Sequence, residues 1–435
     1  MKQKGKLKYF KTTGYSNIMG DGTLASRKNC RSFVVSREGL RNFCSPAHFY
    51  WAFMMMIQGK IPDHEVPVNL HVENGKVVQI TPYQKGSPCD FGGTDLYLCP
   101  GFIDPQVNGF AGVDFNHPLL TPEKLHQAAR SLASTGVTSF LPTLITSSQE
   151  RMVHQLKIIA EALRNDSLLR KMCVGIHLEG PYISAEDGPR GIHLREFIRL
   201  PQWDELEKFQ EACEGRIKCV TLAPELEGAI PFIEKAVAHG IVIGIGHTHA
   251  TEEDLGQAIQ AGARLSGHLG NAPSALLPCH RDLIEKQLAM DQLMASIIVD
   301  GIHLSPDVVK NYVCAKGVNR IVLTTDSMAG AGVPSGKYTL GDLEVEVTPD
   351  RAARAVTTSR LAGSTLTMDR AITNVIQFAK IDLASAIRMA TKNGQKLFSE
   401  VRGEMIPGAP ADLVLFEYQR SLAIRSTWIE GQKIF

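Results

Sequence analysis

From about Gly101 to Asp326, short runs of apolar and β-branched residues alternate with longer stretches whose apolar positions recur every three or four residues. That alternation predicts repeated strand–helix units and a parallel sheet. Eight strand candidates can be read: GFIDPQV, VTSFLPTL, CVGIHLE, IKCVTLAP, IVIGIGH, ARLSGH, MASIIVD and RIVLTTD. Eight parallel strands are the number that closes a barrel. The intervening stretches carry helix boundaries. Thr121-Pro122-Glu123 supplies a cap and first turn before KLHQAARSLASTG, which stops at Gly136. TEEDLGQAIQAG opens on Thr251 with an acidic first turn and closes on Gly262.

Towards both ends the period shortens to two. VPVNLHVENGKVVQI sets alternating apolar residues around Asn74-Gly75, a strong hairpin signal. GEMIPGAPADLVLFE and LAIRSTWIEGQKIF have the same texture. The expected fold is therefore α/β, a (β/α)8 TIM barrel over residues 99–400, with a small β-sandwich made from residues 56–98 and 401–435. Residues 1–55 are rich in Lys and Arg, poor in acids and without periodicity. They run into HFYWAFMMMI, which is shorter than the roughly 20 residues needed to span a bilayer and is followed by no small-residue cleavage site. This stretch is expected to be a disordered or non-homologous extension, with the domain starting near Met54, Met55 or Met56.

Composition narrows the partners. The chain has 435 residues and a formal net charge of +1, so no overall field draws it to nucleic acid or an anionic membrane, and a small-molecule ligand is expected. Nine cysteines are scattered without CxxC pairing, and Cys173 and Cys219 sit in strand-like apolar runs. That usage points to a reducing cytoplasm rather than a disulfide framework.

Four segments carry chemistry where an apolar run stops: VGIHLEGP with Glu179, VIGIGHTHAT with His247, ARLSGHLGNA with His268, and IVLTTDSMAG with Asp326. Strand ends of a barrel converge on one mouth, so these residues can share a site. A lone Glu after a strand more often caps a helix or forms an ion pair, and a lone His is as often a satisfied core residue. One carboxylate and two imidazoles in series instead match a catalytic divalent-metal site with an open position, zinc by preference, iron or another metal also being compatible. His249 is a competing ligand, ranked behind the three because a turn is expected there. Asp326 is placed to take a proton from water and return it to a leaving amine. His193 and His303 could polarise a carbonyl or hold a hydroxyl, and Arg281 could clamp an anion.

The segments PGFIDPQVNGFAGVDFN, HLEGPYIS, GHTHAT, GHLGNA, DGIH, TTDSMAG, LAGSTLTMD and PGAPADLV closely resemble those of the N-acetylglucosamine-6-phosphate deacetylases of the amidohydrolase superfamily. The resemblance runs from about Ile57 to Phe435. It implies a homodimer that hydrolyses the N-acetyl group of an amino-sugar phosphate. Where the wider superfamily has a His-x-His pair after the first strand, this chain has Gln106 and Asn108, which implies one metal held by Glu179, His247 and His268. Implied substrate contacts are Ile192, His193, Asn271, Ala272, His303, Leu361, Ala362 and Gly363. The family's phosphate-binding arginine aligns with Cys279, two residues before Arg281. A cyclic amidase or deaminase, a deacetylase of another N-acyl amino sugar, and a catalytically silent sugar-phosphate binder are the alternatives.

Overall fold

The computed structural model of the protein describes residues 54–64, 66–272, 282–398 and 402–435. The expectation for residues 1–55 falls outside these, apart from Met54 and Met55, as do Cys279 and Arg281. Ala52–Phe435 forms one compact unit.

Eight parallel strands build one sheet: Phe102–Val107, Val137–Ile145, Ile176–Glu179, Ile217–Leu222, Val242–Ile245, Leu265–Ser266, Met294–Ile298 and Ile321–Thr324. Seven fall within the runs read from the pattern, and the second extends its run by one residue, to Ile145. Nearly every residue in them is buried, because helices cover the outside and side chains fill the inside. The first and eighth strands meet through a parallel bridge between Val107 and Ser327, and the Asn108 N–H donates to Ser327 O at 2.8 Å, which closes the barrel. Leu141, Cys219, Leu265 and Val322, from the second, fourth, sixth and eighth strands, pack in one cluster, the layered filling expected of such a barrel.

Helix ends follow the local signals. Pro122–Ala133 is capped by Thr121, whose side chain accepts from Lys124 N–H. Glu252–Gln260 begins with a full capping box in which Thr251 and Asp254 satisfy each other's backbone donors.

Strands from both ends join in a second sheet of seven: Met55–Lys60, Pro67–Glu73, Lys76–Pro82 and Phe91–Pro100 with Leu413–Tyr418, Leu422–Ile429 and Gln432–Lys433. Asn74 and Gly75 both have positive φ, as a two-residue hairpin turn of this hand requires. The sheet curls back on itself. Ala411 N–H donates to Gly75 O at 2.8 Å, and Gly431 N–H to Ala411 O at 3.0 Å. Ile57, Leu70, Val77, Leu98, Leu415 and Trp428 fill the space between.

A third element was not anticipated. Gly336–Leu340, Leu343–Val347 and Ala353–Ala355 form a three-stranded antiparallel insert after the eighth barrel strand. Asp114 ties it to the barrel, accepting from Thr339 Oγ1 and from Gly341 N–H, both at 2.9 Å.

Candidate active site

Glu179 is the last residue of the third strand, while His247, His268 and Asp326 each lie two residues beyond the fifth, sixth and eighth. All four are buried. The last three have φ of 50°, 26° and 49°, the left-handed region that non-glycine residues rarely occupy. Such conformations cost roughly 1–3 kcal/mol each and persist where the surroundings over-determine them, which is typical of functional turns.

The side chains converge. Glu179 Oε1 lies 2.9 Å from His247 Nε2 and 2.7 Å from His268 Nε2, and the two imidazole nitrogens are 3.2 Å apart. His247 Nδ1 is 2.8 Å from the carbonyl of Pro189, which can only accept, so Nδ1 carries the proton. Its Nε2 then turns a lone pair towards a carboxylate oxygen, an arrangement that calls for positive charge between them. Protein groups alone meet that demand through protonation. Burial opposes charge on His268, yet the hydrogen bond and charge of Glu179 raise it to about 9. Burial likewise opposes charge on Glu179, and its bonds to both imidazoles hold it well below the usual carboxylate range. A nitrogen–nitrogen–oxygen donor set of this kind fits a divalent metal, which would take over the same role.

His193 adds a fourth donor. Its Nε2 stands 4.0 Å from Glu179 Oε1, and its ligand atom lies within 4.8 Å of those of Glu179 and His247. Two overlapping trios are thus available, and the one containing His268 is the tighter. Burial pushes His193 down to about 3, so it is neutral at physiological pH. His249 does not join them: it is exposed, and its backbone N–H donates to Glu225 at 2.7 Å.

Asp326 is held by the two residues that stand in for a histidine pair. Its Oδ1 accepts from Gln106 Nε2 at 3.0 Å and from Asn108 Nδ2 at 2.7 Å. Burial, followed by the nearby negative charge of Glu179, raises Asp326 to about 6, close to the range in which a carboxyl can both take and give a proton. Asp104 supports the same turn from below, accepting from Thr324 Oγ1 and from the N–H and hydroxyl of Thr325. His303 Nδ1 lies 2.7 Å from Asp300 Oδ2, which fixes its ring and leaves the buried Nε2 without a partner among the described residues.

A cavity of about 270 Å³ opens over these groups, with Asn108, Glu179, His193, His247 and Asp326 in its walls. Ile192, Asn271, Ala272, Leu361 and Gly363 also line it. Carboxylate, imidazoles and a proton-transferring acid at one face of a polar pocket are the parts needed for hydrolysis of an amide-type bond.

The amidohydrolase family model matches residues 97–434. An N-acetylglucosamine-6-phosphate deacetylase of Lysinibacillus sphaericus is 31% identical over 80% of this chain and 89% of its own length. The Bos taurus enzyme of the same name is 34% identical over 78% of this chain and 83% of its own. The chain belongs to the N-acetylglucosamine-6-phosphate deacetylase family of amidohydrolases. An N-acetylgalactosamine-6-phosphate deacetylase of Escherichia coli is 31% identical over 86% of this chain and 96% of its own. Among solved structures, a mutant N-acetyl-D-glucosamine-6-phosphate deacetylase from Mycobacterium smegmatis in complex with N-acetyl-D-glucosamine-6-phosphate superposes with a TM-score of 0.80 at 27% identity. It covers 88% of this chain and 99% of its own.

Within this deacetylase-family chain, two expected contacts sit apart from the cavity walls. Ala362 is fully buried and packs with Met328 and Ala329, and His303 stands outside the walls with its ring held by Asp300. Leu340 and Arg360 line the cavity and were missed. The Gly341-Asp342 turn between alternating residues 336–347 could have flagged the first. Arg360 lay one residue outside the motif that drew attention.

Proposed function

We propose that this protein hydrolyses the N-acetyl group of N-acetylglucosamine 6-phosphate, giving glucosamine 6-phosphate and acetate. The observation that carries this reading is the joint placement of Glu179, His247 and His268 beside an Asp326 that Gln106 and Asn108 orient. Glu179, His247 and His268 would hold one divalent ion per subunit, with zinc the best match to their donor set. When bound, the ion supplies Lewis acidity, lowering the pKa of water and polarising a carbonyl oxygen. Asp326 removes the proton from the attacking water and then passes it to the departing amine. The amide donors on its Oδ1 keep its other oxygen turned to the reacting atoms. His303 Nε2, aligned through Asp300, steadies charge developing on the carbonyl oxygen. His193, Ile192, Asn271, Ala272, Leu361 and Gly363, which line the cavity, position the sugar, and Ala362 packs behind them.

The family likeness supports a homodimer, and the free buried thiols of Cys99, Cys173 and Cys219 support a reducing compartment such as the cytoplasm. A second reading, deacetylation of N-acetylgalactosamine 6-phosphate, is favoured by the likeness to the Escherichia coli enzyme. Acetate release, followed alongside ammonia and metal content, separates these readings. Acetate from the glucosamine derivative at higher kcat/KM than from its galactosamine epimer supports the first. The reverse order supports the second. Ammonia, or no product from either sugar, defeats both.

A further inference from the structure

The family's phosphate-binding arginine aligns with a cysteine in this chain, yet the cavity wall contains another guanidinium, that of Arg360. Three features suit it to an anion. Its Nη1 donates to Gly191 O at 2.9 Å, which anchors the side chain over the loop that carries Ile192 and His193. Gly191 itself packs on the floor: a Cβ built on it would lie 3.3 Å from His247 Cε1. One residue without a side chain therefore separates the guanidinium from a ring of the candidate metal centre. Ser364 N–H bonds Asp326 O at 2.8 Å, and the four residues back to Arg360 reach at most about 14 Å of extended chain.

The charge of Arg360 is also uncommitted. Among the described residues it forms no ion pair. The nearby Asp187 is paired with Arg190 and, at 3.9 Å, with Arg195, and Arg360 acts on it only through space. A guanidinium offers five N–H donors in a planar fork, and the bond to Gly191 uses one.

We infer that Arg360 binds the phosphate monoester of the substrate, from the same subunit that supplies the metal ligands, and so sets the preference for phosphorylated over neutral amino sugars. This rests on the deacetylase reading above. The dianion sits at the rim while the acetamido group reaches the floor, both within the one cavity, and the Gly191 contact holds the fork in its wall.

The test uses the metal-loaded full chain and acetate release from N-acetylglucosamine 6-phosphate and from N-acetylglucosamine. Arg360→Ala should raise KM for the phosphorylated sugar by about 10- to 100-fold, the usual loss for one charge-assisted anchor. It should leave kcat, and activity on the neutral sugar, near wild type. Inhibition by inorganic phosphate should weaken in parallel, and Arg360→Lys should recover part of the loss. An unchanged KM in Arg360→Ala overturns the inference, as does an equal loss on both sugars or a fall confined to kcat, which would mark a structural role through Gly191. Wild-type protein that releases no acetate from either sugar instead brings down the deacetylase reading, and this inference with it.

Discussion

The floor of the cavity is made from residues within two positions of barrel strands, whereas its rim is made from loops and the three-stranded insert. On the floor, Glu179, His247, His268 and Asp326 are buried, mutually hydrogen bonded or backed by donors such as Gln106 and Asn108, and held partly in costly backbone conformations. The rim residues Gly188, Gly191, Ile192, Arg360 and Leu361 are more open, and among the wall residues from this side only Leu340 of the insert is buried. The contrast separates two tasks. Proton transfer and metal binding need groups fixed to fractions of an ångström, which closed strands provide. Substrate choice can be retuned on loops without disturbing that framework.

The sharpest break of this contrast is on the floor. Glu179→Gln should reduce metal content and acetate release to background together, since the carboxylate charge binds both imidazoles' shared centre; retained stoichiometric metal, measured by elemental analysis, would remove Glu179 from the ligand set. Asp326→Asn should keep the metal and lower kcat by about 10²- to 10⁴-fold, the range for loss of a general acid/base. Turnover close to wild type would assign the proton shuttle elsewhere. Asn108→Leu removes the shorter of the two amide bonds to Asp326 and should cost about 10- to 100-fold in kcat, typical of a residue that orients a reacting group, with little change in KM. A change confined to KM would make Asn108 a sugar contact instead.

A last effect lies where the insert joins the barrel and is in stability rather than rate. Burial raises Asp114 to about 6, against the pull of its hydrogen bonds from Asn116, Thr339 and Gly341. The folded protein therefore holds that proton more tightly than the unfolded chain, whose carboxyl titrates near 3.8. Stability on this account falls as pH rises from about 4 to 6, and the penalty, roughly 3 kcal/mol, is fully present above that. Asp114→Asn carries no such charge. The Tm difference between variant and wild type should shift in favour of the variant from pH 4 to pH 7, and a constant difference would show that Asp114 ionises freely in the folded state.

Much of the floor was legible because its signals are local. An apolar run followed by Gly-His, Leu-Glu or Thr-Asp marks a strand end, and the Thr121 and Thr251 caps mark where the next helix begins. The role of Gln106 and Asn108 was only half visible. Their positions after the first strand could be read, but their hydrogen bonds to Asp326 span 220 and 218 residues and exist only once the first and eighth strands meet. Leu340 belongs to an insert whose alternation is short, and Arg360 looks like any surface arginine until the turn at Gly191 comes under it.

By itself the sequence determined the number and order of the barrel strands, the hairpin at Asn74-Gly75, the apolar use of Cys219 and the identity of the donors placed at strand ends. These follow from side-chain period and turn chemistry, which neighbours along the chain impose on one another. Only the tertiary structure decided that His247 keeps its Nδ1 proton on Pro189, that Asp326 faces two amides, that Asp114 is pushed up to about 6, and that Arg360 stands over the floor. Each depends on a partner far away in sequence or on burial, and both come into being only when the barrel closes and water is excluded from its mouth.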